Sequence, residues 1–157
     1  MSVEGLNRLK VWARAKDFAL KVYKQVLPLL PSEEKWNLNQ QLRRSSLSIS
    51  ANIAEGHGRF YYQDNVRFCY IARGSLDETL SHLTFALEMK YITADLYKEF
   101  ETEGEEIDKM LNGYIAFLKK SKQGANEPGA NLSIREESTP YLTETMQDNI
   151  DTVDTTL

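Results

Sequence analysis

The chain has one cysteine, Cys69, and two histidines, His57 and His82. A lone thiol excludes an intramolecular disulfide and a cysteine-based zinc cage. Two imidazoles leave few soft metal ligands, so no metal or cofactor is expected. With 4 prolines and 8 glycines in 157 residues, the chain is neither collagen-like nor wholly disordered. No apolar run approaches the ~20 residues of a membrane span, and Met1–Lys10 is too polar for a secretory signal. What is present is ordinary for a soluble domain: 41% hydrophobic and 27% charged residues, enough to bury a core. A soluble, cytoplasmic protein is expected.

Charge is unevenly spread. Residues 1–73 carry 12 Lys and Arg against 6 Asp and Glu, residues 74–120 carry 5 against 10, and residues 121–157 carry 2 against 7. The formal net charge of −4 thus conceals a basic half followed by two acidic stretches. This division fits polar faces with separate tasks or subunits meeting head to tail. It fits equally well solvated helix faces that happen to differ.

Four long segments repeat apolar residues at steps of three and four, and none alternates as a strand does. Val11, Ala15, Phe18, Val22 and Val26 place a first helix from about Leu9 to the Pro28–Pro31 region, where proline ends it. Ser32 is the expected N-cap of the second, with Glu33 and Glu34 favoured by the helix dipole. That helix turns Leu38, Leu42, Ser45, Ser46, Ile49 and Ile53 inward and stops near Gly56-His57-Gly58. A third runs from Tyr61–Asn65 to about Met89 on Val66, Cys69, Tyr70, Arg73, Leu76, Leu80, Leu83 and Leu87. Thr93 caps the fourth, which turns Leu96, Phe100, Ile107, Met110, Leu111, Tyr114 and Leu118 inward. Gly104 and Gly113 weaken it by about 1 kcal/mol each relative to alanine. Similar lengths and short connections predict an all-α, antiparallel up-down-up-down four-helix bundle over residues 1–120.

Residues 121–157 form an acidic tail, expected to be mostly flexible, with a linker rich in Gly, Pro, Asn and Ser at its start. Thr139-Pro140 can open a short helix over 140–155, on which Leu142, Met146, Ile150 and Val153 share a face. The many threonines oppose it. The segment reads either as a disordered acidic tail or as a docking peptide that folds on a partner.

Enzymatic templates fail in turn. Gly56-x-Gly58 is too short for a phosphate-cradling loop and leads out of a helix. Glu78 and His82, four apart, can share a face, but a di-iron bundle needs Glu-x-x-His pairs on facing helices. Cys69 and His57 have no third group to orient them, and Cys69 lies on an inward stripe. Polar residues beside the small-residue run Ser45–Ala54 read as structural: Asn52, Glu55 and Glu78, with Arg44, Arg59 or Arg73 as carboxylate partners.

Several motifs are distinctive: Lys10-Val-Trp-x-x-Ala15, Gln41-Leu-Arg-Arg44, Asn52-Ile-Ala-Glu-Gly56, Gly58-Arg59 and Gly74-Ser-Leu76. Over about residues 6–120 they resemble the four-helix-bundle proteins first noticed in intervening sequences of bacterial 23S ribosomal RNA genes. A related group comprises the accessory variability determinant proteins of diversity-generating retroelements, which assist a reverse transcriptase. The resemblance implies a homopentameric ring with basic surfaces for nucleic acid or a polymerase, and it ties Trp12 to the core. The chain departs from the family pattern in three places. Ser50 stands where a proline is usual, Phe60-Tyr61-Tyr62 replaces a serine cap before the third helix, and the acidic tail is added.

The expected function is a non-enzymatic oligomeric scaffold that meets RNA or single-stranded DNA through its basic N-terminal half. Lys10, Arg14, Arg43, Arg44, Arg59, Arg67 and Arg73 are candidates for phosphate. Tyr61 and Tyr62 offer stacking for unpaired bases or packing against a neighbouring subunit. The alternative is an adaptor for a reverse transcriptase or other nucleic-acid enzyme, docked through the tail and without direct nucleic-acid binding.

Overall fold

The computed structural model describes residues 3–126, with side chains from Gly5 onward. A short α1 (Val3–Asn7) precedes α2 (Lys10–Lys21), with Leu9 extended between them. Helix α2 widens into a π-turn over Val22–Val26 and tightens into a 3₁₀ turn over Leu27–Leu29. Leu30, before Pro31, is extended, because the proline ring clashes with a helical residue ahead of it. Three long helices follow: α3 (Leu38–His57), α4 (Tyr62–Glu88) and α5 (Ala94–Ser121). Among the described residues there is no strand.

Cross-helix contacts fix the topology. Lys21 meets Glu99 and Glu103 while Arg14 meets Glu106, so α2 and α5 are antiparallel. Ser45 meets Thr79 and Ser48 meets Ser75, so α3 and α4 are antiparallel. Tyr70 meets Lys119 and Arg73 meets Asn112, which orients α5 against α4. The chain is an up-down-up-down four-helix bundle.

The apolar stripes close on one core. Phe18 and Phe100 are fully buried and pack edge to face, with ring centroids 5.3 Å apart. Val22, Leu42, Ile49, Ile53, Leu76, Leu83, Ile107 and Leu111 fill the space around them. Each large side chain removed from water is worth roughly 1.5–3 kcal/mol. Trp12 is half-buried against this core, and Lys16 covers its ring. Leu80, Leu87, Leu96, Met110 and Tyr114 are also half-buried at its margins.

One expected helix boundary moves. Ser32 does not cap the second long helix. It opens a separate 3₁₀ turn, Ser32–Trp36, and its hydroxyl bonds Glu33 at 3.3 Å. Helix α3 starts at Leu38, whose N–H donates to the Glu34 carboxylate at 3.3 Å. Thr93 caps α5 as the sequence suggests, its hydroxyl accepting from the Leu96 N–H at 3.2 Å. Helix α3 runs without interruption through Ser50.

The seam between α3 and α4 is polar and narrow. Thr79 donates to the Ser75 carbonyl at 2.8 Å, so its 2.9 Å contact with Ser45 takes the Ser45 proton. Ser75 likewise donates to the Ile71 carbonyl at 3.0 Å, and its 2.9 Å contact with Ser48 takes the Ser48 proton. Asn52 donates to the Ser48 carbonyl and hydroxyl at 2.7 and 2.9 Å. Farther along, Gly56 admits α4: a Cβ there would lie 2.8 Å from the Phe68 Cβ. Gly104 does the same between α5 and α4, seating Leu80, whereas Gly113 faces open space. Residues 127–157, with the expected helix over 140–155 and Leu142, Met146, Ile150 and Val153, lie outside the described residues.

Candidate nucleic-acid interface

The basic residues of the N-terminal half do not form one surface. Arg14 pairs with Glu106, and Lys21 bridges Glu99 and Glu103 at 2.7 and 2.6 Å. Burial lowers the affinity of the Lys21 ammonium for its proton, but hydrogen bonds to Glu103 and Glu99 outweigh this and raise its pKa above 10.5. Basic α2 and the acidic first half of α5 thus neutralise each other along their shared edge. At the start of α3, Arg43 donates to Asn39 at 2.7 Å and lies over the Tyr23 ring, while Arg44 pairs with Glu78. Fifteen residues separate Arg44 from Arg59, about 22 Å of helix, so no compact site includes both.

The end of the bundle where α3 finishes, α4 begins and α5 finishes is different. Residues 94–108 of α5 carry seven acids and one lysine, whereas residues 109–122 carry four lysines and no acid. Lys119, Lys120 and Lys122 therefore join Arg59, Arg67 and Arg73 at this end. Tyr70 holds two of them: Lys119 donates to its hydroxyl at 2.8 Å, and the Arg73 guanidinium lies 4.9 Å from its ring centroid. Arg73 also donates to Asn112 at 3.0 Å. Arg67 is exposed. Arg59 pairs with Glu55 on the surface and stacks on Phe68. Glu55 is thus half-exposed, with its partner just past the end of α3, not buried beside the seam. Lys10 is exposed one turn before Arg14, on the flank of this end.

The aromatic cluster differs from its expected arrangement. Tyr61 and Tyr62 are half-buried against their own chain. The Tyr62 N–H donates to the Gln123 carbonyl at 3.1 Å, so the segment after α5 supplies the partner that no side chain provides at the start of α4. Gly124, with φ of +79°, lies under the Tyr61 ring, where a Cβ would come within 2.7 Å of it. The exposed rings here are Phe60, edge-on to Tyr61, and Phe117, stacked on Tyr114.

Beneath this surface lies a polar chain that periodicity does not reveal. Asn65, buried, donates to the Tyr114 hydroxyl at 3.1 Å, and that hydroxyl lies 3.2 Å from His57 Nδ1. Cys69 contacts Asn65 Oδ1 at 3.6 Å. The cluster ties α3, α4 and α5 together behind Arg59, Arg67 and Tyr70. Burial pushes the Cys69 thiol up to about 12, opposite to the shift a nucleophile requires. Among the described residues no three His, Cys, Asp or Glu could hold a metal ion, and no helix is long and apolar enough to cross a membrane.

At the opposite end, a groove of about 490 Å³ is lined by Glu34, Trp36, Gln41, Ser81, His82 and Phe85. His82 Nε2 has no hydrogen-bond partner there and stands 3.6 Å from Glu78, which Arg44 engages.

The bundle with these features has known relatives. Among curated proteins none matches. A protein with unknown function from the S23 ribosomal protein family of Bacteroides thetaiotaomicron is similar in structure, with a TM-score of 0.62 and 27% sequence identity. The match covers 67% of this chain and 97% of that one. Residues 7–113, from just before α2 into the last turns of α5, match the family model of the 23S rRNA-intervening sequence protein. The chain belongs to that family.

Proposed function

We propose that this protein is a non-enzymatic, self-associating scaffold that binds RNA or single-stranded DNA through the basic end of its bundle. The observation that carries this reading is the pairing of Arg73 and Lys119 on Tyr70, at the end of the bundle that also carries Arg59, Arg67, Lys120 and Lys122 and exposed Phe60 and Phe117. Cations there meet phosphate while the rings receive unpaired bases, a combination that favours single strands with little sequence preference. Of the basic residues expected to contact phosphate, Arg14, Arg43 and Arg44 lie away from this end, on α2 and the first turns of α3. The lysines of α5 take their place.

The test is fluorescence anisotropy with a 20-nucleotide oligouridylate at increasing salt. The protein should bind with a log K against log salt slope of about −2 to −4, equivalent to three to six phosphates at ~0.7 each. K120E/K122E should weaken binding at least ten-fold at 50 mM salt, whereas Arg43→Glu should change it less than two-fold. Binding insensitive to K120E/K122E would refute the assignment.

A second reading is favoured by Trp36 at 71% and Phe85 at 51% exposure around the opposite groove. Such surface suits a protein partner, making the chain an adaptor for a reverse transcriptase or other nucleic-acid enzyme. This reading predicts no measurable RNA affinity for the isolated protein.

A further inference from the structure

We propose that the chain's own acidic segment, residues 127–157, seats on the basic end and competes there with phosphate, a regulation that rests on the nucleic-acid reading above. The described chain leads to this place. Lys122 closes α5 in the left-handed conformation, the Gln123 carbonyl accepts from Tyr62, and Gly124 lies under Tyr61. The described chain therefore ends against Phe60 and Tyr61, next to Arg59 at the basic end of the bundle. Residues 127–157 carry seven acids and a single base, Arg135, and the end of the bundle they leave from carries Lys119, Lys120 and Lys122 with Arg59, Arg67 and Arg73.

Reach and concentration favour the seat. Thirty-one residues, at up to about 3.3 Å each, reach well beyond the dimensions of the basic end. A tether of that kind holds its charges at an effective concentration on the order of millimolar, sufficient to occupy a weak, purely electrostatic site. The acidic first half of α5 repels the segment, so the basic end is the favoured seat. Phosphate must displace it. Salt weakens both interactions, because exposed charges beyond about 10 Å are screened at 0.1 M.

The experiment compares the full chain with a full-length variant whose seven acids in 127–157 are replaced by their amides, using the labelled oligouridylate. The amide variant should bind about five-fold more tightly at 50 mM salt and less than two-fold more tightly at 300 mM. Equal or weaker binding by the variant overturns the proposal and leaves the nucleic-acid reading intact. If neither chain binds RNA, that reading fails and a synthetic peptide of residues 127–157 decides the seat. It is added to a chain ending at Asn126, whose bundle corresponds to nearly the whole of the solved relative. Salt-sensitive peptide binding that K119E/K120E abolishes supports the seat, and no binding overturns it.

Discussion

Gly56 and Gly74 lie on neighbouring helices and should respond to alanine with opposite signs. At Gly56 a Cβ would meet the Phe68 Cβ at 2.8 Å and the Asn65 backbone carbonyl at 3.0 Å, neither of which can retreat without moving α4. Gly56→Ala should destabilise the protein by about 1–3 kcal/mol. Nothing lies within 4 Å of a Cβ at Gly74, so Gly74→Ala should stabilise it by about 0.5–1 kcal/mol through helix propensity. Urea denaturation of the two variants measures both. Cys69 gives an independent reading of the core: with its thiol pushed up to about 12 by burial, it should react with Ellman's reagent only on unfolding. Reaction of the folded protein at the free-thiol rate would mean that α4 is rotated from its described position. At this scale the sequence was informative about apolar positions and about some polar ones, such as inward Ser45 and Ser46 and the Arg59 partner of Glu55, but not about polar pairs buried between distant segments. Asn65 and Tyr114 bond across 49 residues of chain, and no local period encodes such a pair.

At the scale of elements, two seams hold the bundle by different physics. The α3–α4 seam relies on hydroxyls in a closed relay, so deleting one leaves a buried group unpaired. Thr79→Val should cost about 1–2 kcal/mol, and a double-mutant cycle with Ser45→Ala should show coupling above about 0.5 kcal/mol. The α2–α5 edge relies on ion pairs. Because the pKa of Lys21 is raised in the folded state, its contribution is fully present below the unfolded value of about 10.5 and is lost as pH rises through the folded value. Lys21→Gln should therefore be less stable than the wild type at pH 8, and the difference should shrink above pH 11 in thermal melts. Helix spans were legible because each apolar stripe is long and regular. The start of α3 was not, since Ser32 has the chemistry of a cap but Asn37, not Pro31, adjoins the long helix. The π-turn at Val22–Val26 leaves no mark on the stripe, because Val22 and Val26 remain buried through it.

At the scale of the whole molecule, the described residues leave apolar side chains exposed: Trp36 at 71%, Phe117 at 63% and Leu47 at 51%. The proposed self-association would cover that surface, and light scattering at micromolar concentration should then give a mass several times 18.0 kDa. A monomer would count against the scaffold. The candidate site was only partly legible because charge was read along the chain, whereas antiparallel packing sorts it by end. Lys119 and Lys120 fell within an acidic stretch in sequence, yet the fold carries them beside Arg67 and Arg73. Arg14 belonged to a basic half in sequence but is matched to Glu106 by α5. The central claim, that the basic end meets nucleic acid, is tested most directly by where a bound strand touches the protein. A uridine-rich RNA carrying 4-thiouridine, cross-linked by ultraviolet light and mapped by mass spectrometry, should attach within residues 59–73 and 114–122. Attachment along the acidic first half of α5 or at the Trp36 groove, or no attachment at low salt, would contradict it.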